Sequence, residues 1–87
     1  MNTGPIVSQR LADSWASKVI ERRKALGLSQ VQVAELAGLT QQGVSQIESG
    51  EVLPRDDSKV ALAKALGTTP GELFPWPPMK DLIGGAA

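Results

Sequence analysis

The chain contains no cysteine, no histidine and no tyrosine among its 87 residues. Without cysteine there is no disulfide and no thiolate metal site. Without histidine, Ser-His-Asp and Cys-His catalysis are excluded, and so is a zinc site of the usual Cys/His kind. The remaining reactive groups are Asp, Glu, Lys, Ser and Thr, and no two of them are arranged around a recognisable pocket. Neither an enzyme nor a bound cofactor is expected. Aromatic residues are scarce, with only Trp15, Phe74 and Trp76 present. No run approaches the roughly 18 consecutive apolar residues of a membrane span. The segment MNTGPIVSQR lacks the basic region and apolar run of a secretion signal, so a cytoplasmic location is expected. Neither sign of charge dominates, since nine Lys and Arg balance nine Asp and Glu. Any attraction to nucleic acid must therefore come from local clustering.

What is present favours helix. The apolar set is rich in alanine and leucine, which are strong helix formers and add little to a sheet. Residues 1–7 read as a loose arm, because Gly4 and Pro5 disfavour helix. From about Ser8 to Leu26, apolar residues recur mostly three or four apart, at Leu11, Ala12, Trp15, Ala16, Val19, Ile20 and Leu26. Gly27 ends this first helix. Ser29-Gln30-Val31-Gln32 reads as a capping box opening a second helix, whose buried side is Val33, Leu36 and Ala37. Thr40 caps a third helix, which Gly50 ends. After the loop Glu51-Val52-Leu53-Pro54-Arg55, a fourth helix starts near Asp56 or Asp57, whose charges suit a helix N-terminus. Val60, Ala61, Leu62 or Ala63, and Leu66 supply its buried side. Thr69-Pro70-Gly71-Glu72 is a second capping box, opening a short fifth helix that Pro75 terminates. The reading is all-α: a five-helix domain over 8–74, with a flexible N-terminal arm and a Pro-rich, mobile tail over 75–87.

The second and third helices are separated only by Gly38, Leu39 and Thr40, and so short a turn makes them cross steeply. Small residues are expected where they touch, at Ala34 and Gly38. Val33, Ala37, Leu39, Val44 and Ile47 complete a helix-turn-helix pattern. With Val44 and Ile47 turned inward, Gln42, Ser45, Gln46 and Ser49 face outward, and Gln41 lies to one side in the first turn. An ordinary solvated face would carry Lys and Glu. Glutamine offers a paired acceptor and donor that matches adenine N7 and N6 in the major groove.

The stretch QVQVAELAGLTQQGVSQIESG (30–50) resembles the lambda-repressor/Cro (XRE) type of helix-turn-helix family. LGLS (26–29) and VALAKALGTTPGELF (60–74) are similar to flanking parts of the same domain, so the resemblance covers roughly residues 15–74. Its third helix is similar to the recognition helix of a phage repressor of that family. The resemblance implies a compact five-helix DNA-binding domain. It also implies a small dimeric repressor that places 41–49 in the major groove of a near-palindromic duplex operator. Gln41, Gln42 and Gln46 would contact bases. Gln30 would touch a phosphate together with its backbone N–H, and Ser29, Thr40, Ser45, Ser49, Arg55 and Lys24 are further backbone candidates. Arg23 and Glu48 occupy positions that form an ion pair in the family. The sequence departs from the phage relative at Gly43, at Ser45 and in the loop 51–55, where one acid and one base replace a basic run.

Other readings remain open on the sequence alone. An antitoxin that represses its own promoter would use 75–87 to bind a protein partner, and a protein-interaction module would bind DNA weakly. Lys24 and Arg22 on the first helix belong either to a solvated face or to a phosphate contact. Val52 and Leu53 either cover the core or form a dimer surface, for which the region from Gly67 to Phe74 and the tail are further candidates. Trp76 either folds back as a lid or stands out as an anchor for a partner.

Overall fold

The structure is a computed structural model that describes residues 4–82. It is all helical, with no strand among the described residues. The order is α1 (Gly4–Ala25), α2 (Gln30–Ala37), α3 (Gln41–Glu48), α4 (Asp56–Ala65), α5 (Pro70–Leu73) and α6 (Met79–Leu82). The five expected helices are all present, and the one-turn α6 is added to them.

Both ends of the chain are more ordered than expected. Helix α1 starts at Gly4, so residues 4–7 are helical rather than a loose arm, and residues 1–3 lie outside the described part. Pro5 explains the difference. Proline lacks only an N–H that the first helical turn leaves unpaired, and its fixed φ suits a helix start. At the other end, α6 packs against α1 and buries Leu82, which is 3% exposed. The tail is therefore part of the fold as far as Leu82, and 83–87 lie outside the described residues.

One core unites the helices. Leu11, Trp15 and Val19 form the stripe of α1, at the i, i+4, i+8 spacing that keeps side chains on one face. They meet Val33 and Ala34 of α2, Val44 and Ile47 of α3, and Leu62, Ala63 and Leu66 of α4. Leu73, Phe74 and Leu82 close the cluster. Two expected core positions face outward instead. Leu36 is 61% exposed because α2 turns Val33 and Ala34 inward, and Val60 is 47% exposed because α4 is centred on Leu62 and Leu66. Gly38 ends α2 as expected, but not as a small residue at a helix contact. A Cβ there would meet nothing within 4 Å, so crowding does not select glycine. Its φ of +69° does, since this left-handed geometry ends α2 and strains residues that carry a Cβ.

Trp15 ties the C-terminal segment to α1. Its indole Nε1–H donates to the Pro75 carbonyl at 2.7 Å. Phe74 and Trp76 both meet its ring edge-on, each with centroids 5.6 Å away, and Lys59 Nζ lies 4.2 Å from the ring centroid. Trp76 combines the two readings given for it. It leans on Trp15 and still remains 68% exposed. Leu82→Ala should lower the unfolding free energy by about 2–4 kcal/mol in urea titrations, as for other buried leucines. An unchanged midpoint would show that the docked segment adds nothing to stability.

Candidate nucleic-acid interface

The unit α2–turn–α3 is built from local signals. Ser29 Oγ accepts from Gln32 N–H at 3.1 Å, and Gln32 Oε1 accepts from Ser29 N–H at 2.8 Å, which completes the capping box. Thr40 Oγ1 accepts from Gly43 N–H at 3.0 Å and starts α3. A Cβ on residue 43 would sit 3.1 Å from that same oxygen. Glycine leaves the cap undisturbed, although it costs the helix about 1 kcal/mol relative to alanine.

Helix α3 buries Val44, Ile47 and Glu48 and shows the opposite side to solvent. Gln41, Gln42, Ser45 and Ser49 are exposed, and Gln46 is half-buried. Gln46 borders a groove of about 350 Å³ together with Thr40, Gly43 and Arg55. The outward face thus carries amides and hydroxyls and no charge. Arg55 is exposed at the start of α4, and Lys24 is exposed in the last turn of α1. The Ser49 hydroxyl donates to the Gln46 carbonyl at 3.1 Å.

Beneath that face lies a charged clamp. Glu48 is 7% exposed, and its carboxylate accepts from Arg23 Nε at 2.7 Å and from Arg23 Nη2 at 2.9 Å. Gln30 Nε2 donates to Glu48 Oε1 at 3.0 Å, and Arg23 Nη1 donates to the Leu28 carbonyl at 2.9 Å. One carboxylate therefore joins α1, α2 and α3. Among the described residues, no buried side-chain polar atom is left without a partner. The hydrogen bond to Glu48 raises the Arg23 pKa above the ordinary guanidinium value, burial opposes the rise, and the charge of Glu48 adds to it. A basic group with a raised folded pKa contributes stability in full below its unfolded value. It loses that contribution only as pH climbs through the folded value. The guanidinium side of the clamp is therefore insensitive to pH across the ordinary range.

Two supporting contacts were not legible in the sequence. Arg22 donates through Nε to the Leu66 carbonyl at 2.9 Å and through Nη2 to the Gly67 carbonyl at 3.1 Å. It is neither merely solvated nor turned to a phosphate; it caps the C-terminus of α4. The only sequence signal was that the last carbonyls of a helix need partners from somewhere. Gln9 Nε2 bonds the Gly50 carbonyl at 3.2 Å and Asp13 Oδ1 at 2.9 Å, so the first turns of α1 hold the end of α3. At Gly50 φ is +77°, and a Cβ would come within 2.5 Å of Asp13 Oδ1. The second capping box is also altered. Thr69 Oγ1 accepts from Glu72 N–H at 3.2 Å, but the Glu72 carboxylate takes the Thr69 hydroxyl at 3.2 Å.

Glu48→Ala would leave the Arg23 charge buried without its partner and should cost about 3–5 kcal/mol in chemical denaturation. The double change Arg23→Met/Glu48→Leu should cost much less, because no orphaned charge remains. Equal losses in the two variants would show that the cost lies in losing the bridge itself and not in an orphaned charge.

Residues 19–73 match the model of the helix-turn-helix family. No curated protein sequence matches the chain. Among solved structures, the chain is similar to the clp gene regulator ClgR from C. glutamicum, with a TM-score of 0.68 and 17% identity. That similarity covers 88% of this chain and 94% of the other. At such low identity it speaks for the fold alone, and it extends the agreement beyond the matched segment into the N-terminal turns of α1 or the tail. With the matched residues spanning α2, α3 and α4 and most of the core, the chain belongs to the lambda-repressor/Cro (XRE) type helix-turn-helix family of DNA-binding transcription regulators.

Proposed function

We propose that the protein is a small, Cro-like repressor that binds a near-palindromic duplex operator as a homodimer and acts in the cytoplasm by occupying its site. The observation that carries this reading is the outward face of α3, where exposed amides stand on a helix clamped from below. Gln41, Gln42 and Gln46 are the base readers, since a glutamine amide pairs with adenine N7 and N6 in the major groove. Rigid support matters because a reader must meet two atoms of one base edge at once.

The backbone contacts are few. Lys24 and Arg55 supply the charge, and the hydroxyls of Ser29, Thr40, Ser45 and Ser49 supply neutral donors. Gln30 offers its backbone N–H at the start of α2, where the helix dipole favours a phosphate. Its side chain is already engaged by Glu48. Affinity then rests more on base contacts than on charge, in keeping with the zero net charge of the chain. With helix α3 of each subunit in successive major grooves, half-site centres fall about 10 base pairs apart.

Selection from a random duplex pool tests the reading, with the Gln41→Ala/Gln42→Ala double variant alongside. The wild type should enrich a palindrome that the variant loses, and failure to enrich any sequence would overturn the proposal. On the selected site, Gln41→Ala or Gln42→Ala should each cost about 1–3 kcal/mol and relax one base pair. Lys24→Ala or Arg55→Ala should instead weaken all sequences alike and flatten the salt slope by about 1. Wild-type affinity in both glutamine variants would remove them as readers.

A further inference from the structure

The loop between α3 and α4 carries a feature that base reading does not use. Val52 and Leu53 are 40% and 41% exposed, side by side, beside the recognition helix. They form a ridge, because grooves run along both flanks. One lies toward α3 and α4 and is bordered by Gln46 and Arg55. The other lies toward α1 and is bordered by Gln9, Ala12 and Glu51. Neither residue belongs to the core cluster, and both keep a large exposed area.

The charges around the ridge have an order. In Glu51-Val52-Leu53-Pro54-Arg55, acid and base stand at equal distances on either side of Leu53. Glu51 and Arg55 are both exposed, and neither forms an ion pair among the described residues. A copy of this segment laid antiparallel would set Glu51 of each chain opposite Arg55 of the other, with the two Leu53 side chains meeting on the axis. A two-fold contact requires such self-complementarity, since residue i meets j and j meets i.

We propose that the loop 51–55 is the surface through which two copies of this chain pair, each ridge lying in the α1-side groove of the other. This rests on the dimeric reading above and names its interface. The α3-side groove stays open, so Gln46 is not covered. Arg55 can serve both the partner carboxylate and a phosphate, because a guanidinium has five N–H donors. The patch is small beside the roughly 1,200 Å² of a stable interface. The dimer is accordingly weak alone and tightened by two half-sites on one duplex.

The absence of native cysteine makes the test direct. The Leu53→Cys variant is oxidised at high protein concentration without DNA, with the more exposed Leu36→Cys as a control on another face. Disulfide-linked dimer should form about tenfold faster at position 53. Sedimentation should show Glu51→Arg or Arg55→Glu weakening the dimer about tenfold, the scale of two rim ion pairs. The double exchange Glu51→Arg/Arg55→Glu should restore it. Equal cross-linking at both positions, or no rescue, would overturn the proposal. The Gln41→Ala/Gln42→Ala variant should dimerise like the wild type. A dimer that selects no DNA sequence would sink the repressor reading alone, and selective binding by a chain that fails both loop tests would sink this interface alone.

Discussion

The arrangement of the recognition helix depends on one carboxylate. Glu48 sits at the end of α3, accepts two bonds from Arg23 of α1 and a third from Gln30 at the start of α2. A buried ion pair often returns little net stability, because desolvating two charges is expensive. Its worth here is geometric. Apolar contacts around Val44 and Ile47 would tolerate small rotations of α3, whereas a planar fork on a carboxylate fixes both distance and angle. The amides of Gln41, Gln42 and Gln46 inherit that orientation. The clamp lies on the inner side of the helix that shows them, so the supporting groups leave the outward amides free.

A second set of contacts holds the frame from outside. Arg22 closes the carbonyl end of α4, Gln9 holds the Gly50 carbonyl at the end of α3, and Trp15 holds the carbonyl of Pro75. All three side chains project from α1. This helix begins at Gly4, well before the segment matched by the family model, which starts at residue 19. Its first turns therefore supplement the shared helix-turn-helix frame and hold the chain at Gly50, where α3 gives way to the loop.

How much could be seen in the sequence follows from the range of each interaction. Helix ends were legible because caps act over three or four residues: Ser29, Thr40 and Gly38 declare themselves locally. The outward face of α3 was legible because Val44 and Ile47 fix its phase. Leu36 and Val60 misled, since an apolar side chain indicates a buried face without proving that its neighbours turn the same way. Pro5 misled because the same ring that breaks a helix interior is well tolerated at its start. Arg22, Gln9 and Leu82 were out of reach, as each acts on a segment more than forty residues away or on another element that no periodicity connects to it.

The bond between Trp15 and Pro75 spans sixty positions of the chain. Synthesis runs from the N-terminus, so α1 leaves the ribosome with the stripe of Leu11 and Trp15 uncovered. Phe74 and Trp76, the aromatic groups that cover Trp15, are made only after the whole helix-turn-helix has been synthesised. A chain that ended after α4 would lack both of these covers and leave the indole less shielded. Completion of the core is thus coupled to translation of residues 74–82, and a stalled product carries an apolar surface of the kind that chaperones and proteases recognise.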